Sequence, residues 1–226
     1  AMLNAGKKSL RLDLKKPAGR DILLRLVDAA DVLVENYAPG VMNKLGLGAA
    51  ALHARNPRLV YASSTGYGTD GPYRDFLAMD LSVQAMSGVM SVTGNPGEPP
   101  LKCGPAICDF FAGVHLYGAI VTALYQRERT GKGSEVKSNL MANGVWASSV
   151  LAQAKLVGAR FQERRPRERA LNAVTNHYRC RDGRWLILSL LNEDKQWPAL
   201  MRCLGREDLT HDPRFATKAD RHARSV

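Results

Sequence analysis

The chain has 226 residues, 45% of them hydrophobic and 23% charged, which is the composition of a globular protein and excludes wholesale disorder, a collagen-like chain and a disulfide-stapled miniprotein. Lys and Arg total 32 against 21 Asp and Glu, giving a formal net charge of +11. That excess favours an anionic partner, whether nucleic acid, an acidic membrane surface or a phosphorylated small molecule, without choosing among them.

The N-terminus Ala-Met-Leu-Asn-Ala-Gly-Lys-Lys lacks the apolar core of a signal peptide, and no stretch reads as the roughly 20 apolar residues of a membrane span, so a soluble, cytoplasmic protein is expected. Ser9–Leu14 alternates as a strand does. Pro17 opens a helix through ILLRLVDAA, with proline where its missing N–H costs least. Asp31–Glu35 is a short apolar run ended by Asn-Tyr-Ala-Pro-Gly, and Arg58–Ser64 is another, ended by Thr-Gly-Tyr-Gly. Strands alternating with helices predict parallel βαβ units, whose ligands bind beyond the carboxyl ends of the strands. The loops starting at Lys15, Asn36 and Thr65 are therefore the ones to follow.

Further helices are predicted from Asp80 (DLSVQAMSGVM), from Asp109 (DFFAGVHLYGAIVTALYQRER) and from Leu140 to Gly158. In the second, Phe110, Val114, Tyr117, Val121 and Leu124 share a face, and the helix is apolar nearly all round, which predicts burial. The segment 160–170 carries Arg160, Arg164, Arg165, Arg167 and Arg169 and reads as an exposed basic linker. In HYRCRDGRWLILSL (177–190) Asp-Gly lies between strand-like runs, a hairpin signal, and a small second domain is placed from residue 171.

Several motifs fail on inspection. Gly66-Tyr-Gly68-Thr-Asp-Gly71 follows a predicted strand, but Pro72 comes next where a dinucleotide fingerprint needs a helix. Ala5-Gly-Lys-Lys-Ser9 has no room for the rest of a P-loop. The four cysteines form no CxxC pair or Cys/His cluster at zinc spacing, and the five histidines are scattered, so no metal is expected. Asp80 and Asp109 each stand where an N-cap belongs. Such an aspartate can simply accept a backbone N–H bond, or the same N–H groups and helix dipole can hold it ionised and aimed outward, as a carboxylate nucleophile requires. On the residues alone both readings stay open.

Taken in order, NAGKKSLRLDLKKPAGR, ADVLVENYAPGVMNKLGLG, NPRLVYASSTGYGTDGPY, QAMSGVMSVTG and GPAICDFFAGVHLYGAIVTALYQRERTGKG resemble family III CoA-transferases, a group with α-methylacyl-CoA racemases as a divergent branch. The resemblance covers nearly the whole chain. It implies an α/β fold, with a Rossmann-like parallel sheet and flanking helices forming an incomplete large domain (1–159), followed by the start of a small α+β domain (171–226). It implies coenzyme A as acyl-CoA substrate, a carboxylic acid as co-substrate, and a homodimer of interlocked subunits, with no role for nucleic acid or membrane.

The resemblance also implies roles. Asp109, in the G-x-x-x-x-D-x-x-x-G stretch Gly104–Gly113, matches the aspartate that attacks the thioester, passing through an aspartyl–acyl anhydride and an aspartyl-CoA thioester. Leu12, Asp13, Leu14 and Lys15, together with Asn36, Tyr37 and Ala38, match segments that receive the adenosine part of CoA, and Lys44 matches a basic position near its phosphates. Leu77, Ala78, Met79 and Asp80 match the loop beside the nucleophile. Racemases of the group resemble one another in having His before that Asp as a proton carrier. Met79 cannot accept and return a proton, which favours transfer over racemisation. Ala38 departs from the larger or basic residue found in relatives. Relatives are also longer at both ends, so the chain is expected to be a partial version of the fold, and a catalytically silent CoA-binding remnant is the alternative to an active enzyme.

Overall fold

The computed structural model describes residues 4–160 and 165–225. The described chain divides into two compact units: the chain up to Thr93 with Pro100–Ala159, and Gly94–Pro99 with the chain from Arg160 onward.

In the first unit, helix α1 (Pro17–Ala29) has Pro17 in its first turn and buries Val27. Strand β1 (Val32–Glu35) follows, then the short helices α2 (Val41–Lys44) and α3 (Ala49–Arg55), and strand β2 (Val60–Thr65). Val27, Met42, Leu47, Leu52, Leu59 and Tyr61 form one core cluster beneath these elements. Helix α4 (Asp80–Met86), the long helix α5 (Ile107–Thr130), strand β3 (Glu135–Asn139) and helices α6 (Leu140–Ala147) and α7 (Ser149–Leu156) complete the unit. The sheet order is β1-β2-β3, parallel throughout, with Val34 opposite Ala62 and Ala62 opposite Val136. Central β2 is buried along almost its whole length, which is why VYASST lacks polar–apolar alternation.

The parallel α/β architecture is the expected one, and several local expectations need correcting. Ser9–Leu14 is not a strand: the alternation is there, but the segment pairs with no neighbour among the described residues, and a strand exists only through its ladder. Strand β3, whose polar sequence EVKSN gives no strand pattern, pairs with β2 along its length. The single helix expected over Leu140–Gly158 is two, interrupted at Ser148, whose φ of −105° and ψ of 13° leave the helical region.

Helix α5 ends at Gly131, which adopts a φ of +72° and so closes the last turn as a left-handed C-terminal cap. The face predicted to be buried is mostly open. Phe110, Val114, Tyr117 and Val121 are exposed, whereas Cys108, Ala112, Leu116, Ala123 and Arg127 are buried. In a helix apolar all round, periodicity does not reveal which face meets the sheet; here it is the one carrying Cys108, Ala112, Leu116, Ala123 and Arg127. The same composition corrects the reading that no stretch is long and apolar enough to cross a membrane. By length and composition α5 is, with a mean hydropathy of 1.6 over 18 residues of which 22% are buried, although it packs against β2, β3, α4 and α6. Near its far end Arg127 donates to the carbonyls of Asp31 (3.4 Å) and Arg58 (3.2 Å) and to Asp31 Oδ1 (2.9 Å), clipping α5 to the starts of β1 and β2.

In the second unit β4 (Thr175–Arg179) and β5 (Trp185–Ser189) form the expected antiparallel hairpin, closed through Cys180 and Arg184 with Gly183 at a φ of +85°. Helices α8 (Glu193–Cys203) and α9 (Lys218–His222) accompany it, and Val174, Trp197 and Met201 form its core. Buried Glu193 pairs with His222 Nε2 at 3.0 Å and accepts from Asn172 Nδ2 at 2.9 Å. Of the basic segment, Arg164 lies outside the described residues, and Arg167–Arg169 form a single 3-10 turn whose Arg167 carbonyl accepts from Asn176.

Candidate active site

An open cleft of about 580 Å³ lies beyond the carboxyl ends of β1 and β2. One wall is the loop that follows β1, and Asn36 Nδ2 donates to the Ser64 carbonyl at 2.9 Å, tying that loop to the end of β2. Another is the segment before α4. It can come close because Gly66 has no side chain: a Cβ there would stand 2.0 Å from the Ala78 Cβ. Tyr67, Tyr73 and Phe76 pack their rings together, with centroids 5.2 to 6.4 Å apart, and brace the connection between Gly66 and that segment. Leu77 and Met79 project openly, being 92% and 72% exposed.

Asp109 reaches this cleft from the first turn of α5. Neither aspartate is an N-cap of its own helix, which corrects that expectation: Met79 caps α4 and Ala106 caps α5. The N-cap residues supply no side-chain acceptor. Instead Asp80 works across helices, its Oδ1 accepting from the N–H groups of Cys108 (2.8 Å) and Asp109 (3.2 Å) in α5. The capping reading thus holds for Asp80, but for the neighbouring helix. The Asp109 backbone N–H is thereby engaged by Asp80 rather than by the Asp109 carboxyl itself.

The electrostatics follow from this packing. Partial burial, together with the nearby Asp80 charge, holds the Asp109 carboxyl above the usual carboxylate pKa. Burial, with Asp80 and Asp109 nearby, pushes the Cys108 thiol up to about 11, so the neighbouring sulfur is a protonated packing group at neutral pH. Among the described residues Lys102 is the one basic side chain lining the cleft. Among the described residues no group of three or more His, Cys, Asp or Glu is placed to hold a metal ion.

Of the residues singled out in the sequence, Asn36, Tyr37, Ala38, Leu77, Ala78, Met79, Asp80 and Asp109 line this one cleft. Leu12, Asp13, Leu14, Lys15 and Lys44 do not. Leu14 packs against the core cluster, Asp13 Oδ1 accepts from the Lys15 N–H at 3.0 Å, and Lys44 is an exposed residue at the end of α2. Sequence reasoning missed Lys102 and Gln84. Lys102 lies in a loop with no motif around it. Gln84 falls on the inward face of α4, where a polar residue breaks the apolar pattern and is the only visible signal.

The CoA-transferase family III model matches residues 1–226. The chain is 37% identical over 231 residues to an acetyl-CoA:oxalate CoA-transferase of Acetobacter aceti, a match covering 99% of this chain and 57% of the relative. It is 39% identical over 228 residues to a succinate–glutarate CoA-transferase of Agrobacterium fabrum, covering 99% of this chain and 55% of the relative. Among solved structures, a CAIB/BAIF family protein from Brucella suis superposes with a TM-score of 0.87 at 36% identity, covering 98% of this chain and 58% of that one. The chain spans about half the length of the relatives it matches.

Proposed function

Given that the chain belongs to CoA-transferase family III, we propose that it moves CoA between an acyl-CoA and a free carboxylic acid, with Asp109 as the transient acyl carrier. The Asp109 carboxylate attacks the thioester carbonyl, the C–S bond breaks, and CoA leaves as thiolate from the resulting mixed anhydride. The thiolate then attacks the aspartyl carbonyl, releasing the donor acid as carboxylate and leaving an aspartyl-CoA thioester. An incoming carboxylate runs the two steps in reverse. Covalent capture splits one difficult exchange into two steps between groups of matched reactivity.

The observation that carries this reading is the Asp109 carboxyl on the first turn of a 24-residue helix, opening into a cleft at the strand ends. Its N–H is engaged by Asp80, and its raised proton affinity makes the ionised form a better nucleophile than a solvent-exposed carboxylate. Leu77 and Met79 offer apolar surface to the pantetheine or acyl chain, Lys102 offers a positive charge, and the +11 net charge suits a polyanionic cofactor. Met79, where a racemase needs a proton carrier, weighs against α-proton exchange. Leu12, Asp13, Leu14, Lys15 and Lys44 then belong to an outer part of the CoA path, at the nucleotide end. Because the relatives are named for oxalate, succinate and glutarate, dicarboxylic acids are the acceptors to assay first.

Incubation with acetyl-CoA or succinyl-CoA followed by hydroxylamine should leave a hydroxamate at Asp109, seen as a mass shift in the wild-type protein and absent in Asp109→Ala. Equal behaviour of the two proteins, with CoA bound by both, would refute the assignment. The same reading includes a cytoplasmic homodimer, and the exposed apolar face of α5 supports the dimer. Light scattering of the purified chain checks it: a monomer at micromolar concentration contradicts the dimer.

A further inference from the structure

Gln84 lies on α4 and is 1% exposed. Both ends of its amide are engaged. Nε2 donates to Asp80 Oδ2 at 2.5 Å and to the Pro105 carbonyl at 3.4 Å, while Oε1 accepts from the Cys103 N–H at 2.8 Å. On its other oxygen Asp80 holds the N–H groups of Cys108 and Asp109. Burying a polar side chain in such a place brings no packing advantage over an apolar one of the same size. What it supplies is a donor toward one carboxylate and one carbonyl, and an acceptor toward the strap that leads into α5.

We infer that Gln84 is a positioning residue for the Asp109 carboxyl: it fixes Asp80 and the strap Cys103–Pro105, and these together fix the turn of α5 that presents Asp109 to the cleft. The inference rests on the reading of Asp109 as nucleophile. The titratable groups around the Asp80–Gln84 pair are Asp109 and Cys108 on α5, Cys103 on the strap and Lys102 just before it.

Two variants test it in the full chain. Gln84→Met fills the space without hydrogen bonds. Gln84→Glu keeps the shape and the acceptor toward Cys103, but replaces the donor with a second carboxyl beside Asp80. Two carboxyls in contact share one proton, so this variant keeps a donor toward Asp80 at low pH and loses it at high pH. With acetyl-CoA as probe, the rate of adduct formation at Asp109 in Gln84→Glu should match the wild type at the acid end and fall at least tenfold as pH rises. The acetyl-CoA concentration giving half the maximal rate should stay unchanged, and the wild type should show no such limb. Thermal melts at each pH report the folded fraction, and a loss that tracks unfolding, or identical pH profiles, overturns the inference. Amide hydrogen exchange reads the same role without catalysis. In Gln84→Met the Cys108 and Asp109 amides should exchange at least tenfold faster while those of Leu116–Ala123 are unchanged, and unaltered exchange overturns the inference. If the wild type forms no adduct but the exchange result holds, the proposed function fails and the positioning role stands.

Discussion

Replacing Gly66 with alanine puts a methyl group 2.0 Å from the Ala78 Cβ. Methyl carbons rest about 3.5–4.0 Å apart, so one of the two walls of the cleft must retreat by roughly 1.5–2 Å. The φ of Gly66 lies outside the left-handed region, which makes the effect steric rather than a matter of backbone preference. Overpacking of this kind costs about 1–3 kcal/mol of stability. The larger consequence is for the site, because Leu77, Met79 and Asp80 move with Ala78, and a displacement near 1 Å at a reacting centre can cost about a hundredfold in rate. The assay is the rate of adduct formation at Asp109 with acetyl-CoA, alongside a thermal melt. Ala78→Gly in the same chain should restore both, since the nearest remaining atom to the new methyl is then the residue 78 Cα at 3.4 Å. A single variant as fast as wild type, or a double variant no better than the single, would refute the claim that this close approach shapes the cleft.

Other perturbations report on the electrostatics and on the frame. Because burial and the Asp80 charge raise the folded-state pKa of Asp109 above the usual 3.8, its ionisation weakens the fold as pH rises through the folded value. Asp109→Asn should therefore be more stable than wild type at neutral pH, by a few tenths of a kcal/mol after solvent screening, with the gap closing below the unfolded pKa in urea titrations at pH 3 and 7. Glu193 behaves in the opposite sense: burial alone would raise it, but hydrogen bonds from His222 and Asn172 and the nearby Lys218 charge outweigh burial and hold it below 4.5. Its stabilisation is present above that pH and lost as pH falls through the folded value. Glu193→Gln should cost about 1.5–3 kcal/mol at neutral pH and progressively less in acid, read from tryptophan fluorescence during acid titration. Arg127→Met removes the clip at the far end of α5 and should cost roughly 2–3 kcal/mol in a thermal or urea melt. Residue 127 is 18 positions from Asp109, roughly 27 Å along the helix, so adduct formation by the folded fraction should be unaffected.

The parts of this fold that were legible in the sequence are those whose environment is uniform along the element. DVLVE and RLVYASS read as strands because β1 and β2 are hydrophobic enough to be recognised without alternation, and Pro17 and Gly131 mark helix ends by fixed backbone chemistry. What failed depended on neighbours. Ser9–Leu14 has the pattern of a strand and pairs with nothing among the described residues, while EVKSN pairs with β2 and lacks the pattern. The site divides in the same way. Asp109 and Asp80 could be picked out from helix starts and from family likeness, yet the arrangement that joins them does not follow from either segment alone. Asp80 caps a helix 27 residues further along the chain, and Gln84 is recognisable only once Cys103 and Pro105 are packed against it.

That cross-helix cap bears on how the chemistry could be transplanted. A designer who grafted Gly104–Gly113 onto another scaffold would carry over the acid but leave behind the anion that terminates its helix, so the first turn would fray and the carboxyl would wander. The smallest portable unit is two discontinuous pieces with their amide bridge, and any host must supply two neighbouring helix starts at the same spacing.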